Sequence, residues 1–336
     1  MKNTRKDALG PNGLRTGLRL ISTVCAIAVA PAAFAQQEKP NVVIMLADNV
    51  GWGDISAYSA GPDVRGMHTP NIDALASEGI QFTQFFAEPG CTPSRAALMT
   101  GRYANRAGLG TIIIGGTPNT LLEDEITLAE VMKDNGYKTA MFGKWHLGSE
   151  EQSWPTRQGF DLYGVGVIET SDGSLYRGAM ERQGIPEEDI AARAPKIYES
   201  EPDGTLVVSR EYTVEYRAEV EGDIAARSVE YIKENANSED PFFLYIGWTY
   251  SHYPYVTSDE FTGSTGFAYG DVMTELDART GQVLQALDDA GIADDTIVFW
   301  ISDNGATPTA GPYQFKGGSN GPFRGELGDA LEAVSY

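Results

Sequence analysis

The chain has 336 residues, of which 47 are acidic and 25 basic, for a formal net charge of −22. That balance weighs against nucleic acid as a partner, because no basic surface is on offer for phosphate neutralisation. A content of 42% hydrophobic and 10% aromatic residues excludes a disordered chain.

In chain order, Lys2, Arg5, Lys6, Arg15 and Arg19 accompany an apolar, small-residue stretch over 20–30, and Ala33-Phe34-Ala35 stands before Gln36. This is the three-part form of a secretory signal. The stretch is shorter than the roughly 20 residues of a membrane span, and Pro31 closes it. The expectation is a leader over 1–35 and a catalytic domain over 36–336. The product would be periplasmic or secreted, with no membrane anchor after cleavage. Cys25 would leave with the leader; Val24 precedes it, where a lipoprotein site wants a small residue. Cys91 then remains as a lone thiol without a bridging partner, and stability rests on the core.

The apolar run 42–47 ends at Asp48-Asn49. Thr69 is expected to cap a helix that begins at Pro70 and stops at Gly79, and Arg95 follows Cys91 by four residues on the first turn of another. Thr127-Leu128-Ala129-Glu130 reads as a capping box closed by Gly136. The run 137–142 ends at Lys144-Trp145-His146. Residues 164–216 break the pattern, being rich in Glu, Asp, Gly and Pro with little periodicity; they read as a substrate-covering insertion or a solvated excursion. Further helices are expected over 219–235 and 268–290, the second with Val272, Leu276, Val283, Leu284 and Leu287 near helical spacing. The run 242–248 ends near His252, and 296–301 ends at Asp303-Asn304. Strands alternating with helices predict an α/β sheet covered on both faces, with ligands beyond the carboxyl ends of the strands, where these polar clusters fall.

Asp48, Asp303 and Asn304, with Asn49 beside them, are hard oxygen donors of the kind that Ca²⁺ or Mg²⁺ prefers. Taken singly, each pair also makes an ordinary turn. The histidines His68, His146 and His252 are too few and scattered for a His-rich zinc site. Lys144 and His146 alternate, so both face one way with Trp145 opposite, and together with Arg95 and a helix amino end they suit an anion pocket. Each histidine taken alone also reads as a structural one.

The run Cys91-Thr92-Pro93-Ser94-Arg95-Ala96-Ala97-Leu98-Met99-Thr100-Gly101-Arg102 resembles the signature of the type I sulfatases, in which the cysteine becomes formylglycine. Further blocks in the family's order extend the resemblance over most of the chain: Pro40-Asn41-Val42-Val43 through Gly51-Trp52-Gly53-Asp54, Thr69 to Ala76, Gly143-Lys144-Trp145-His146-Leu147-Gly148, Gln158-Gly159-Phe160-Asp161, the run 242–252, and Ser302-Asp303-Asn304-Gly305. The resemblance implies an alkaline-phosphatase-like three-layer α/β sandwich with a mostly parallel central sheet. It implies a divalent cation, Ca²⁺ before Mg²⁺, held by Asp48, Asp303 and Asn304, with the modified Cys91 and Asn49 completing the shell. Arg95 would hold the formylglycine, while Lys144, His146 and His252 would contact the sulfate and the leaving oxygen, with His252 as general acid. The implied reaction is sulfate-ester hydrolysis by a formylglycine hydrate, and the implied partners are a sulfate ester of a small molecule or glycan and a formylglycine-generating maturation enzyme. A phosphonate monoester or phosphodiester hydrolase of the same superfamily, or an inactive homologue that binds sulfated glycans, are the alternatives.

The sequence departs from the family pattern in three places. Asp48-Asn49 stands where many members carry two aspartates. The family's later lysine is not evident, and Lys316 or Arg324 would have to supply its charge. The chain reaches Tyr336 where the family continues into a smaller C-terminal domain, which reads as a missing C-terminal part.

Overall fold

The computed structural model describes residues 39–58, 67–114, 119–307, 309–310, 315–325 and 327–329. The expected leader, with Cys25, lies outside them, and so does the side chain of Lys316. The strands of the main sheet are β1 (Asn41–Ala47), β2 (Lys138–Lys144), β3 (Leu162–Val167), β4 (Lys196–Ser200), β5 (Leu206–Glu211), β6 (Phe242–Gly247) and β7 (Thr296–Ser302). They form one sheet in the order β5-β4-β3-β2-β6-β1-β7. From β3 to β7 neighbours run parallel, and β4 and β5 add on antiparallel. The helices are α1 (Pro70–Glu78), α2 (Cys91–Thr100), α3 (Leu128–Asp134), α4 (Tyr176–Arg182), α5 (Glu187–Arg193), α6 (Val214–Arg217), α7 (Val220–Asn235) and α8 (Ala268–Asp289).

The central strands read as unbroken apolar runs because both faces are covered, yet the two-residue period still sorts their side chains. Val43, Met45 and Ala47 of β1, with Phe242, Leu244 and Ile246 of β6, pack with Ile224 of α7 and with Val272 and Leu276 of α8. Ile44, Leu46, Phe243 and Tyr245 point the other way, into Ala96 and Met99 of α2 and Ala129 of α3. Each large apolar side chain so enclosed contributes about 1.5–3 kcal/mol. The result is the three-layer arrangement expected. Among the described residues no helix is long and apolar enough to cross a membrane.

Gly143 and Gly247 are register partners where β2 and β6 end. A Cβ on Gly143, whose φ is +94°, would run into the Gly247 carbonyl, and one on Gly247 would strike the backbone of Lys144. Two glycines let the strands close up just before Lys144 leaves the sheet.

Two expectations are corrected. Residues 164–216, read as a break in the strand–helix pattern, carry regular elements: the end of β3, helices α4 and α5, the β4–β5 hairpin that widens the sheet, and most of α6. The hairpin lies at the sheet edge and β5 is mostly exposed, so it lacks the alternation that marks a half-buried strand. Thr69 precedes α1 but its side chain does not cap it. Its hydroxyl instead donates to Asp73, while Asp277 of α8 accepts from the backbone N–H groups of Asn71 and Ile72. The Thr127–Glu130 capping box forms as read.

Candidate active site

β2, β6, β1 and β7 lie side by side, so their carboxyl ends bring the four polar clusters to one place. Backbone bonds join the loops there: Asp48 N–H donates to the Tyr250 carbonyl at 2.8 Å, and Asp303 N–H to that of Ala47 at 3.0 Å. Asn49 turns the chain with φ +68°, a left-handed conformation that asparagine tolerates better than most residues. Its N–H then reaches Asp303 Oδ1 at 3.1 Å.

Helix α2 points its first residue, Cys91, into this cluster, where it is 2% exposed and makes no disulfide. One turn on, Arg95 is fully buried. Its Nε and Nη2 donate to Asp303 Oδ2 at 3.1 and 2.8 Å, and its Nη1 donates to the Lys144 carbonyl at 2.8 Å. Lys144 Nζ donates to Asp48 Oδ2 at 2.7 Å, and Ser171 Oγ donates to the same oxygen at 2.8 Å. Each buried cation is thus matched to one carboxylate, which is the condition for keeping such charges inside.

The remaining oxygens suit a cation. Sγ of Cys91 and carboxylate oxygens of Asp48 and Asp303 lie within 4.8 Å of one another. Asp48 Oδ1 and Asn304 Oδ1 are buried without a hydrogen-bond partner. Asn304 is turned this way because its Nδ2 donates to Asn49 Oδ1 at 2.7 Å. Buried acceptors are rarely left unpaired, and a hard divalent ion is a partner that satisfies such oxygens.

The protonation pattern follows from the burial. Burial alone would raise the Asp48 carboxyl, but Lys144, then His252 and Arg95, hold it well below the usual carboxylate range. Burial, and then repulsion from Asp48, pushes Asp303 up to about 6 despite Arg95. Burial pushes the Cys91 thiol up to about 11, against Lys144, so at neutral pH it is protonated and a poor nucleophile as encoded.

His146 is held well below its ordinary value by burial and then by Lys144. Its Nε2 lies 2.9 Å from the Ile113 carbonyl and so carries the proton, while Nδ1 is buried without a partner. His252 is lowered by burial, with Asp48 opposing. Its Nδ1 sits 2.8 Å from the Tyr253 carbonyl and is the donor there, which leaves Nε2 as the exchanging nitrogen. His68 is exposed, on the segment before α1.

The structure therefore brings Asp48, Asn49, Cys91, Arg95, Lys144, Asp303 and Asn304 into one linked cluster, whose charges also act on His146 and His252. Arg95 bonds Asp303 and Lys144, bracing the walls around Cys91. Ser171 was not anticipated from sequence; it lies in the segment flagged as an insertion, and nothing marks it individually.

The Sulfatase family profile matches residues 40–329, and the chain belongs to that family. It is 35% identical to the N-acetylgalactosamine-6-sulfatase of Canis lupus familiaris over 94% of this chain and 59% of that one. It is 30% identical to the human steryl-sulfatase over 85% and 58% respectively. A crystallised sulfatase from Pseudoalteromonas sp., PsFucS1, superposes with a TM-score of 0.80 at 29% identity, covering 88% of this chain and 60% of that one. The chain thus spans somewhat more than half the length of these relatives.

Proposed function

We propose that the protein hydrolyses sulfate esters, using Cys91 converted to formylglycine beside a divalent cation, Ca²⁺ before Mg²⁺. The observation that carries this reading is the placement of a buried Cys91 against Asp48 and Asp303, in a cluster that leaves oxygens of Asp48 and Asn304 without partners. Asp48, Asp303 and Asn304 would hold the cation, with the converted Cys91 and Asn49 beside it. When present, the cation supplies Lewis-acid polarisation and the hydrated aldehyde supplies an oxygen nucleophile.

The rest of the chemistry belongs to side chains of this chain. Lys144 supplies positive charge to the pocket that receives the sulfate, while Arg95 braces that pocket from behind through Asp303 and the Lys144 carbonyl. His146, neutral with a bare Nδ1, would offer a hydrogen-bond acceptor in that pocket. His252 would first take up a proton at Nε2 and then pass it to the leaving oxygen, so the alcohol departs neutral. The family relatives are named for a sugar sulfate and a sterol sulfate; the proposal is made at the level of the ester class. A leader over 1–35, export to the periplasm or beyond, and a separate maturation enzyme acting on Cys91 belong to the same reading.

The test compares turnover of p-nitrophenyl sulfate with that of p-nitrophenyl phosphate mono- and diesters by protein from its native host, alongside the mass of the peptide containing Cys91. Preferred sulfate cleavage by converted protein is expected. Faster phosphodiester cleavage, or a free cysteine in active protein, would overturn the proposal.

A further inference from the structure

Behind the loop that carries His252 lies a second buried ion pair with no bond to the cation cluster. Arg217, the last residue of α6, and Glu221, in the first turn of α7, are both wholly enclosed, with Arg217 Nη1 3.6 Å from Glu221 Oε1. Such a pair is seldom the most stable way to fill a protein interior, because two charges must be stripped of water.

Its hydrogen bonds are aimed at one short segment. Arg217 Nη2 donates to the carbonyls of Thr249 at 3.1 Å and His252 at 2.9 Å, and Nη1 donates to Thr249 Oγ1. Glu221 Oε1 accepts from the Thr249 N–H at 2.8 Å and from its hydroxyl. The guanidinium stacks 4.4 Å from the centre of the Tyr250 ring. On its other side the segment is tied to the loop after β1: Asp48 N–H donates to the Tyr250 carbonyl, and Ser251 Oγ donates to that of Asn49 at 3.1 Å. Every residue from 249 to 252 is therefore pinned, Thr249 and His252 by the Arg217–Glu221 pair.

We propose that Arg217, oriented by Glu221, is a positioning residue that sets where the His252 imidazole is delivered, so that its loss impairs proton delivery to the leaving oxygen and not substrate binding. This rests on the reading of His252 as general acid. The geometry favours it over a purely stabilising role: an arginine that only filled space would not place two donors of one nitrogen on the carbonyls that bracket the loop.

The test uses full-length protein with Arg217→Lys, which keeps the charge but not the planar fork, and the double variant Arg217→Met with Glu221→Gln, which removes both buried charges together. For phenyl sulfate, whose leaving group needs the proton, kcat is expected to fall about 100-fold, within the range typical of general acids. For p-nitrophenyl sulfate, which needs it far less, the fall is expected to be under about fivefold, with KM within about threefold for both substrates. Imidazole ¹⁵N spectra supply a second readout, since the chain has only 3 histidines: the His252 signal should move and that of His146 stay. Equal losses on both substrates, or an unmoved His252 signal, would overturn the positioning role. A wild-type protein inactive on all sulfate esters would defeat the proposed function instead, and the spectra alone would then decide this inference. If Arg217→Lys does not fold, the double variant carries the same comparisons.

Discussion

The tips of the parallel strands and the surface where α4 and α5 meet the end of β5 both use arginine–carboxylate pairs, and at nearly the same distances. Arg95 meets Asp303 at 2.8 Å, and Arg177 meets Glu187 at 2.8 Å and Glu211 at 3.1 Å. The difference lies in solvent. The first pair is wholly enclosed, whereas the Arg177 side chain is 28% exposed and that of Glu187 69%. At that surface, water screens the charges and either partner can be lost cheaply. At the strand tips each charge is tolerable only because its partner is present. Distance alone separates nothing here; burial turns the same contact from a surface ornament into part of a site.

That contrast can be broken in four ways. The largest expected effect is Cys91→Ala, which removes the proposed nucleophile's precursor: kcat/KM for p-nitrophenyl sulfate should fall about 10³-fold or more. The fold should persist, because the thiol has no hydrogen bond to lose among those resolved at the site. Arg95→Met comes next. It strands Asp303 in the interior and should lower unfolding stability by about 3–5 kcal/mol in urea titrations; a loss under about 1 kcal/mol would erase the distinction between the two regions.

A smaller effect concerns acid. Asp303, raised to about 6 by burial and by Asp48, is ionised above that pH and protonated below it. Protons therefore compete with the cation only on the acid side. Calorimetric Ca²⁺ affinity should be flat above pH 6 and fall about tenfold per unit beneath it, while affinity that rises on acidification would contradict the ligand assignment. The smallest effect is Arg177→Ala, which should leave kcat and KM within about twofold, any stability difference vanishing in high salt.

Much of this contrast was legible in the sequence, and for a local reason. Short apolar runs ending in Asp-Asn, Lys-Trp-His or Asp-Asn-Gly announce both a strand and what it delivers, and the Thr127–Glu130 box needs no distant partner. What stayed hidden depends on remote residues. Thr69 has the identity of a cap, yet Asp277 does that work from 206 positions away, through its bonds to Asn71. Ser171 reaches Asp48 across 123 positions, and Arg217 reaches the His252 carbonyl across 35. Strands β4 and β5 were missed because an edge hairpin exposed to water has no need of an apolar period. Sequence pattern reports what a residue does for its own segment, and serine, threonine and arginine here serve someone else's.

The 2% exposure of Cys91 has a consequence for timing. The residue that helps to enclose it, Asp303, is held by Arg95 across 208 positions of chain. Any enzyme that rewrites this side chain therefore has to reach it while β7 is still unsynthesised or undocked. Once β7 settles, the thiol is enclosed in whatever chemical form it then holds.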